Sequence, residues 1–241
     1  MTYLIALFAL SLVAGATAGI VGFGIGSLLT PFLALRVGTS VAIAAVSIPH
    51  AVATALRCYR LRAAIRFDIL KRFGLVSALG ALVGVAMYSR LSNALLTVVL
   101  GALLVITAVA NITGWIERLH PRAAAVPLFG FASGLFGGVA GNQGGLRVAA
   151  LTAFALTPAA FVATSTATGL LVDAARTPVY LATNGAALRE LLTPISVATI
   201  GSVAGTLLGE RLLFGLAPVT YHRIVAVAVG ILGAWLIWTA A

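Results

Sequence analysis

Arg147 is the residue whose type and setting say most about chemistry. It closes the run Gly141-Asn142-Gln143-Gly144-Gly145-Leu-Arg147 inside an otherwise apolar segment. At bilayer depth an arginine costs about 2.5–3.5 kcal/mol on insertion scales, so it lines a cavity or meets a partner. Its guanidinium is a planar fork of donors that matches an oxyanion. The amides of Asn142 and Gln143, and the backbone N–H groups of the glycines, stand beside it in sequence. A half-helix beginning after those glycines would aim its positive end the same way. The spacing therefore predicts an anion site. The competing reading is an arginine at the membrane edge whose long stem lets the charge reach water.

A second set is sparser. Asp173 and Arg176 are three residues apart, which puts them on one helix face and lets them pair. With Gly169 and Tyr180 they form a polar stripe, and His50, Thr54 and Arg57 form a comparable stripe earlier in the chain. Either stripe is placed to touch substrate or a coupled proton, with Asp173 and His50 as the titrating groups. The plainer alternatives are a structural ion pair and a helix-end histidine bonded to backbone. Other chemistry finds no support. The histidines at 50, 120 and 222 are widely separated and Cys58 is the one cysteine, so neither a metal site nor a disulfide is expected. Gly22-Phe23-Gly24-Ile-Gly26 lacks the preceding strand and the later acidic residue of a dinucleotide loop. No nucleophile and base stand at a productive spacing. The expectation is a protein without cofactor that is not an enzyme.

The elements that must position these residues are membrane segments. Of 241 residues 61% are hydrophobic and 8% charged, and mean hydropathy is +1.14. Soluble domains are about a quarter charged. The formal charge of +10 sits in short stretches between apolar segments, which argues for membrane topology rather than nucleic acid. Apolar segments at 3–35, 37–56, 73–89, 93–115, 126–156, 159–180, 191–209 and 224–240 predict an all-α polytopic membrane protein of about eight segments. Met1 to Ala18 end in small residues like a signal peptide, but lack a basic start and run into the glycine motif, so this stretch is read as retained. Six basic residues against Asp68 in 57–72 (Arg57, Arg60, Arg62, Arg66, Lys71, Arg72) predict a cytoplasmic loop.

The chain also repeats itself. Gly15, Gly19, Gly22 and Gly26 match Gly134, Gly138, Gly141 and Gly145 at a constant offset of 119 residues. Arg57 matches Arg176 at the same offset, and Gly80 and Gly84 match Gly201 and Gly205 with a two-residue insertion. Two homologous halves are expected, 1–119 and 120–241, forming one membrane domain. Each opens on a glycine-rich segment too long for one straight crossing and is expected to break near Gly22–Gly26 or Gly141–Gly145. Such a break is tolerated in a membrane only against protein or water, as at the midplane sites of transporters built from repeats. If each glycine segment crosses once the repeats are parallel; if each is a re-entrant hairpin they invert. The other spaced glycines are read as close helix contacts.

These features resemble the TauE/SafE sulfite exporter family of membrane permeases. Ala18-Gly-Ile-Val-Gly-Phe-Gly24 followed by Pro31 is similar to the first family signature, and Gly141-Asn-Gln-Gly-Gly-Leu-Arg147 to a version of the second that has Asn142 and Gln143 where glycines are more common. The resemblance implies a multi-pass inner-membrane carrier that exports or exchanges small sulfur-containing or organic anions, such as sulfite, sulfoacetate and other sulfonates, driven by protons. Gly22, Phe23, Gly24, Gly26, Gly141, Asn142, Gln143, Gly144, Gly145 and Arg147 are the expected substrate-binding residues. His50, Thr54, Arg57, Asp173, Arg176 and Tyr180 are expected to couple or shape the site. The expected partners are the anion, protons and the lipid bilayer, with a homodimer left open. An anion channel and a non-transporting scaffold subunit are the alternatives from other classes.

Overall fold

Among the residues described by the computed structural model (1–21, 24–115, 125–212 and 218–240), the chain is helical and forms no strand. Five helices there have the length and hydropathy to cross a bilayer: Thr2–Ile20, Thr39–Arg60, Phe67–Tyr88, Asn93–Ile112 and Leu192–Gly209. The long glycine segments do not form single rods. The first splits into α1 (Thr2–Val21) and α2 (Ile25–Val37), and the Tyr3 ring stacks on Phe32 at 5.7 Å with the Arg36 guanidinium 4.3 Å over Tyr3. The start of α1 and the end of α2 thus lie together, which makes the pair a hairpin. Gly24 has φ +142°, a region that favours glycine, and α2 begins one residue later.

Next come α3 (Thr39–Arg60), α4 (Phe67–Tyr88, with a π-helical turn at Leu70–Gly74) and α5 (Asn93–Ile112). A second hairpin follows, of α6 (Val126–Ala140) and α7 (Gly144–Leu151). Val126 at its start clusters with Ala150 and Leu151 at its end, around Ile69 and Phe73. Gly141 turns the chain at φ +70°, and its N–H donates to the Gly137 carbonyl at 3.1 Å. The chain ends with α8 (Pro158–Glu190), α9 (Leu192–Leu212) and α10 (Pro218–Ala240). The segment expected at 159–180 is therefore longer. Breaks are also narrower than expected, because Gly26, Gly144 and Gly145 already lie in the first turns of α2 and α7.

The hairpins open to opposite ends of the bundle. At the end bearing the 57–72 loop, the Arg66 N–H donates to the Thr164 hydroxyl at 3.0 Å; at the other end Asn184 donates to the Tyr88 hydroxyl at 3.0 Å. So α8 runs from the basic end to its opposite. Glu190 there shares a cavity of about 410 Å³ with Tyr3 and Arg36, at the mouth of the first hairpin. Ile69 and Phe73, near the basic loop, mark the mouth of the second. Arg60, Arg62, Arg66, Lys71 and Arg72 are exposed, whereas Arg57 is buried, so the counted basic block includes one residue that belongs to the interior.

Glycines set how closely the hairpins pack. A methyl group at Gly205 or Gly15 would overlap backbone of the partner in the α1–α9 pair, and the same holds at Gly84 and Gly134 in the α4–α6 pair. Small residues at a four-residue spacing let backbones approach in this way. At Gly134 the clash is with the Ser77 carbonyl, a group that cannot rotate aside. Gly134→Ala is expected to destabilise the protein by about 1–3 kcal/mol, the usual range for overpacking. The check is a lower melting temperature of the purified variant in detergent.

Candidate functional site

The two hairpin tips face each other in the interior. A methyl group on Gly26, in the first turn of α2, would lie 2.6 Å from the Gly141 carbonyl oxygen, and Ser27 Oγ donates to Asn142 Oδ1 at 3.4 Å. No side chain caps the N-terminus of α2 or of α7. Their first backbone N–H groups have no acceptor within the helix, so both ends present donors and partial positive charge.

Arg147 sits in the first turn of α7 and is 2% exposed, which rules out the membrane-edge reading. Its guanidinium lies against α8 where the side chain is missing: a methyl group at Gly169 would be 2.7 Å from Nη1. Beside it, Asn142 and Gln143 are 6% and 5% exposed, yet Asn142 Nδ2 and both polar atoms of the Gln143 carboxamide make no hydrogen bond among the described residues. Ser133 fixes the backbone there by donating to the Gln143 carbonyl at 3.1 Å. Buried amides are normally satisfied, so these atoms are the clearest sign of a ligand position.

The second set forms one network across α3, α6 and α8. His50 Nδ1 is 2.6 Å from Asp173 Oδ2, and Arg176 Nη2 lies 2.9 Å from Asp173 Oδ1. Arg176 Nη1 also donates to the Gly137 carbonyl and the Tyr180 hydroxyl to the Gly138 carbonyl, at the C-terminus of α6. Tyr180 thus reaches a carbonyl in the last turn of α6, where helix ends leave acceptors without an intrahelical partner, while Arg176 adds a second donor to the Gly137 carbonyl, which also accepts from the Gly141 N–H. Arg176 is thus committed to protein groups, and His50 pairs with Asp173 rather than with backbone alone. Thr54 Oγ1 stands 3.4 Å from His50 Nδ1, and Arg57 Nε donates to Thr166 Oγ1 at 2.9 Å. Among the described residues, the buried charged side chains are three arginines, Arg57, Arg147 and Arg176, and one carboxylate, Asp173, so the interior they form is positive on balance.

Of the expected site residues, Gly24, Gly26, Gly141, Asn142, Gln143, Gly144, Gly145 and Arg147 lie at the two tips or in the first turns beyond them, with Gly26, Gly141 and Asn142 in the contact between the tips. His50, Thr54 and Arg57 on α3 meet α8, which carries Asp173, Arg176 and Tyr180. Gly22 and Phe23 lie outside the described residues. The sequence reading missed Thr30, whose buried hydroxyl makes no hydrogen bond among the described residues and stands near Gly141. It also missed the run Thr164, Ser165, Thr166 and Thr168, all buried. Four hydroxyls in five positions of an apolar helix were the available signal.

Neither the comparison with curated proteins nor that with solved structures returns a match. A family model does: residues 7–236 match Sulfite exporter TauE/SafE. Covering nearly the whole chain, that match agrees with apolar helices, facing hairpins and a buried, positively charged interior, and the chain belongs to the TauE/SafE sulfite exporter family of membrane transport proteins.

Proposed function

We propose that the protein is a secondary transporter that exports or exchanges small sulfur-containing or organic anions, with sulfite, sulfoacetate and related sulfonates as the substrate class, across the inner membrane. The observation that supports this most is Arg147, buried at the uncapped start of α7 beside the unsatisfied amides of Asn142 and Gln143. The guanidinium and the amide N–H groups bind the oxyanion, and the α2 and α7 N-termini add backbone donors. His50 and Asp173 take up the coupled proton, and Arg176 holds Asp173 in place. The halves 1–119 and 120–241 are inverted repeats. In support, the hairpin of each half opens to a different end, and its glycines pack on the glycine helix of the other half, Gly15 on α9 and Gly134 on α4. A carrier of this kind exchanges substrate faster when substrate is present on the far side. Purified protein in proteoliposomes loaded with unlabelled sulfite is expected to accelerate uptake of labelled sulfite. Flux indifferent to the trans pool would point to a pore instead, and no flux would leave the scaffold reading.

The loop at 57–72 faces the cytoplasm in this reading, because its exposed bases outnumber Asp68. A cysteine at position 66, in a variant with Cys58 replaced by serine, is expected to resist an impermeant thiol reagent on intact cells and to react after lysis. Labelling from outside would reverse the orientation.

A further inference from the structure

The hydroxyl-bearing start of α8 does not behave like an ordinary part of a membrane helix. Hydroxyls there usually bond back to a carbonyl one turn earlier. Ser11 does so to Leu7 at 2.6 Å, Thr183 to Val179 at 2.9 Å and Thr199 to Ile195 at 2.7 Å. Ser165 and Thr168 do not: both are fully buried, and neither hydroxyl makes any hydrogen bond among the described residues. Helical periodicity puts them on one stripe with Gly169 and Val172. That stripe faces the second hairpin, since Gly169 meets the Arg147 guanidinium and Val172 lies 3.3 Å from where a Gly137 methyl would be.

Charge points the same way. Arg57, on the neighbouring side of α8 through Thr166, and Arg147 are each 2% exposed and lie within each other's field. Two like charges withdrawn from water repel more than at a surface. An anion held between them would turn that repulsion into attraction on both sides.

We propose that Ser165 and Thr168, with Arg57 beside them, form a second anion-binding step about one helical turn from Arg147 toward the basic end of the protein. This rests on the anion-carrier reading above. Its ligand is the same small oxyanion, which accepts from hydroxyls on one side and from guanidinium N–H groups on the other. An anion entering from the basic end meets this step first and passes to Arg147, Asn142 and Gln143.

The test uses the full-length protein with sulfite as probe, binding being read by calorimetry in nanodiscs and flux in oriented proteoliposomes. Wild type is expected to show two binding steps. The double variant Ser165→Ala/Thr168→Val is expected to lose the weaker one, keep the tighter within about twofold, and raise half-saturating sulfite about tenfold at the basic end only. Thr168→Ser, which keeps a hydroxyl, should behave as wild type and so separates binding from packing. If the hydroxyls bind no anion, removing them relieves unsatisfied buried groups. The double variant would then be more heat-stable, with its binding and flux unchanged from wild type, and the placing of a second step at Ser165 and Thr168 would be overturned while Arg147 kept its role. Two steps that both survive Arg147→Ala would overturn the carrier site itself.

Discussion

Arg147→Ala is expected to weaken sulfite binding about 100-fold and to abolish flux in folded, inserted protein. The size is the lower limit for the bonds at stake, because a charge-assisted hydrogen bond is worth about 1.5–3 kcal/mol, a guanidinium offers two in parallel, and about 3 kcal/mol is a factor of roughly 100–200. Arg147→Lys should fail nearly as badly. A lysine ammonium keeps the charge but not the fork, and its point charge cannot span two oxygens of one anion. Gly169→Ala gives an independent handle: the added methyl displaces only the mobile end of the Arg147 side chain, so the fold tolerates it while affinity falls. Calorimetry on the purified variants, with melting temperature as a folding control, reads all three. Near-normal binding in Arg147→Ala would make this arginine a packing residue.

The second large effect is on stability. Asp173 is the acidic partner of both His50 and Arg176, and all three are buried between α3 and α8. Asp173→Asn leaves the Arg176 charge without its counterion, and breaking a buried pair from one side costs about 3–5 kcal/mol. The variant is expected to melt well below wild type in detergent and to lose the pH dependence of flux. Asp173→Asn combined with Arg176→Gln, which removes both charges, should recover part of the lost stability. A wild-type melting temperature in the single variant would show that Arg176 is balanced by the α6 carbonyls alone. Unchanged pH dependence would move the coupled proton elsewhere.

The parts legible in the sequence were those that contrast with an apolar background. Two glycine clusters and one arginine stand out among leucine and alanine because each is costly there, so the breaks and Arg147 were found by type alone. Pairing across the chain was not legible. His50 and Asp173 are 123 residues apart, and no local pattern says which polar residue on one helix meets which on another. The hydroxyls of α8 were overlooked because serine and threonine are common in membrane helices, where they usually bond to their own backbone. The direction in which each hairpin opens was also hidden. Loop charge reports the ends of crossings, and a segment that enters and leaves by the same side leaves no record in it.

The packing of α1 also sets an order of events during synthesis. Its glycine face rests on α9, where Thr206 donates to the Gly15 carbonyl at 3.4 Å across 191 residues. The α4–α6 pair, by contrast, joins residues only 53 apart through Ser77 and Gly130. At about 5–20 residues per second a ribosome needs roughly 10–40 s to supply the partner of α1. During that interval α1 is long and apolar enough to lie across the membrane by itself. The first hairpin to be made is therefore the last to be seated, and the emerging chain must hold it, or re-thread it, until α9 arrives.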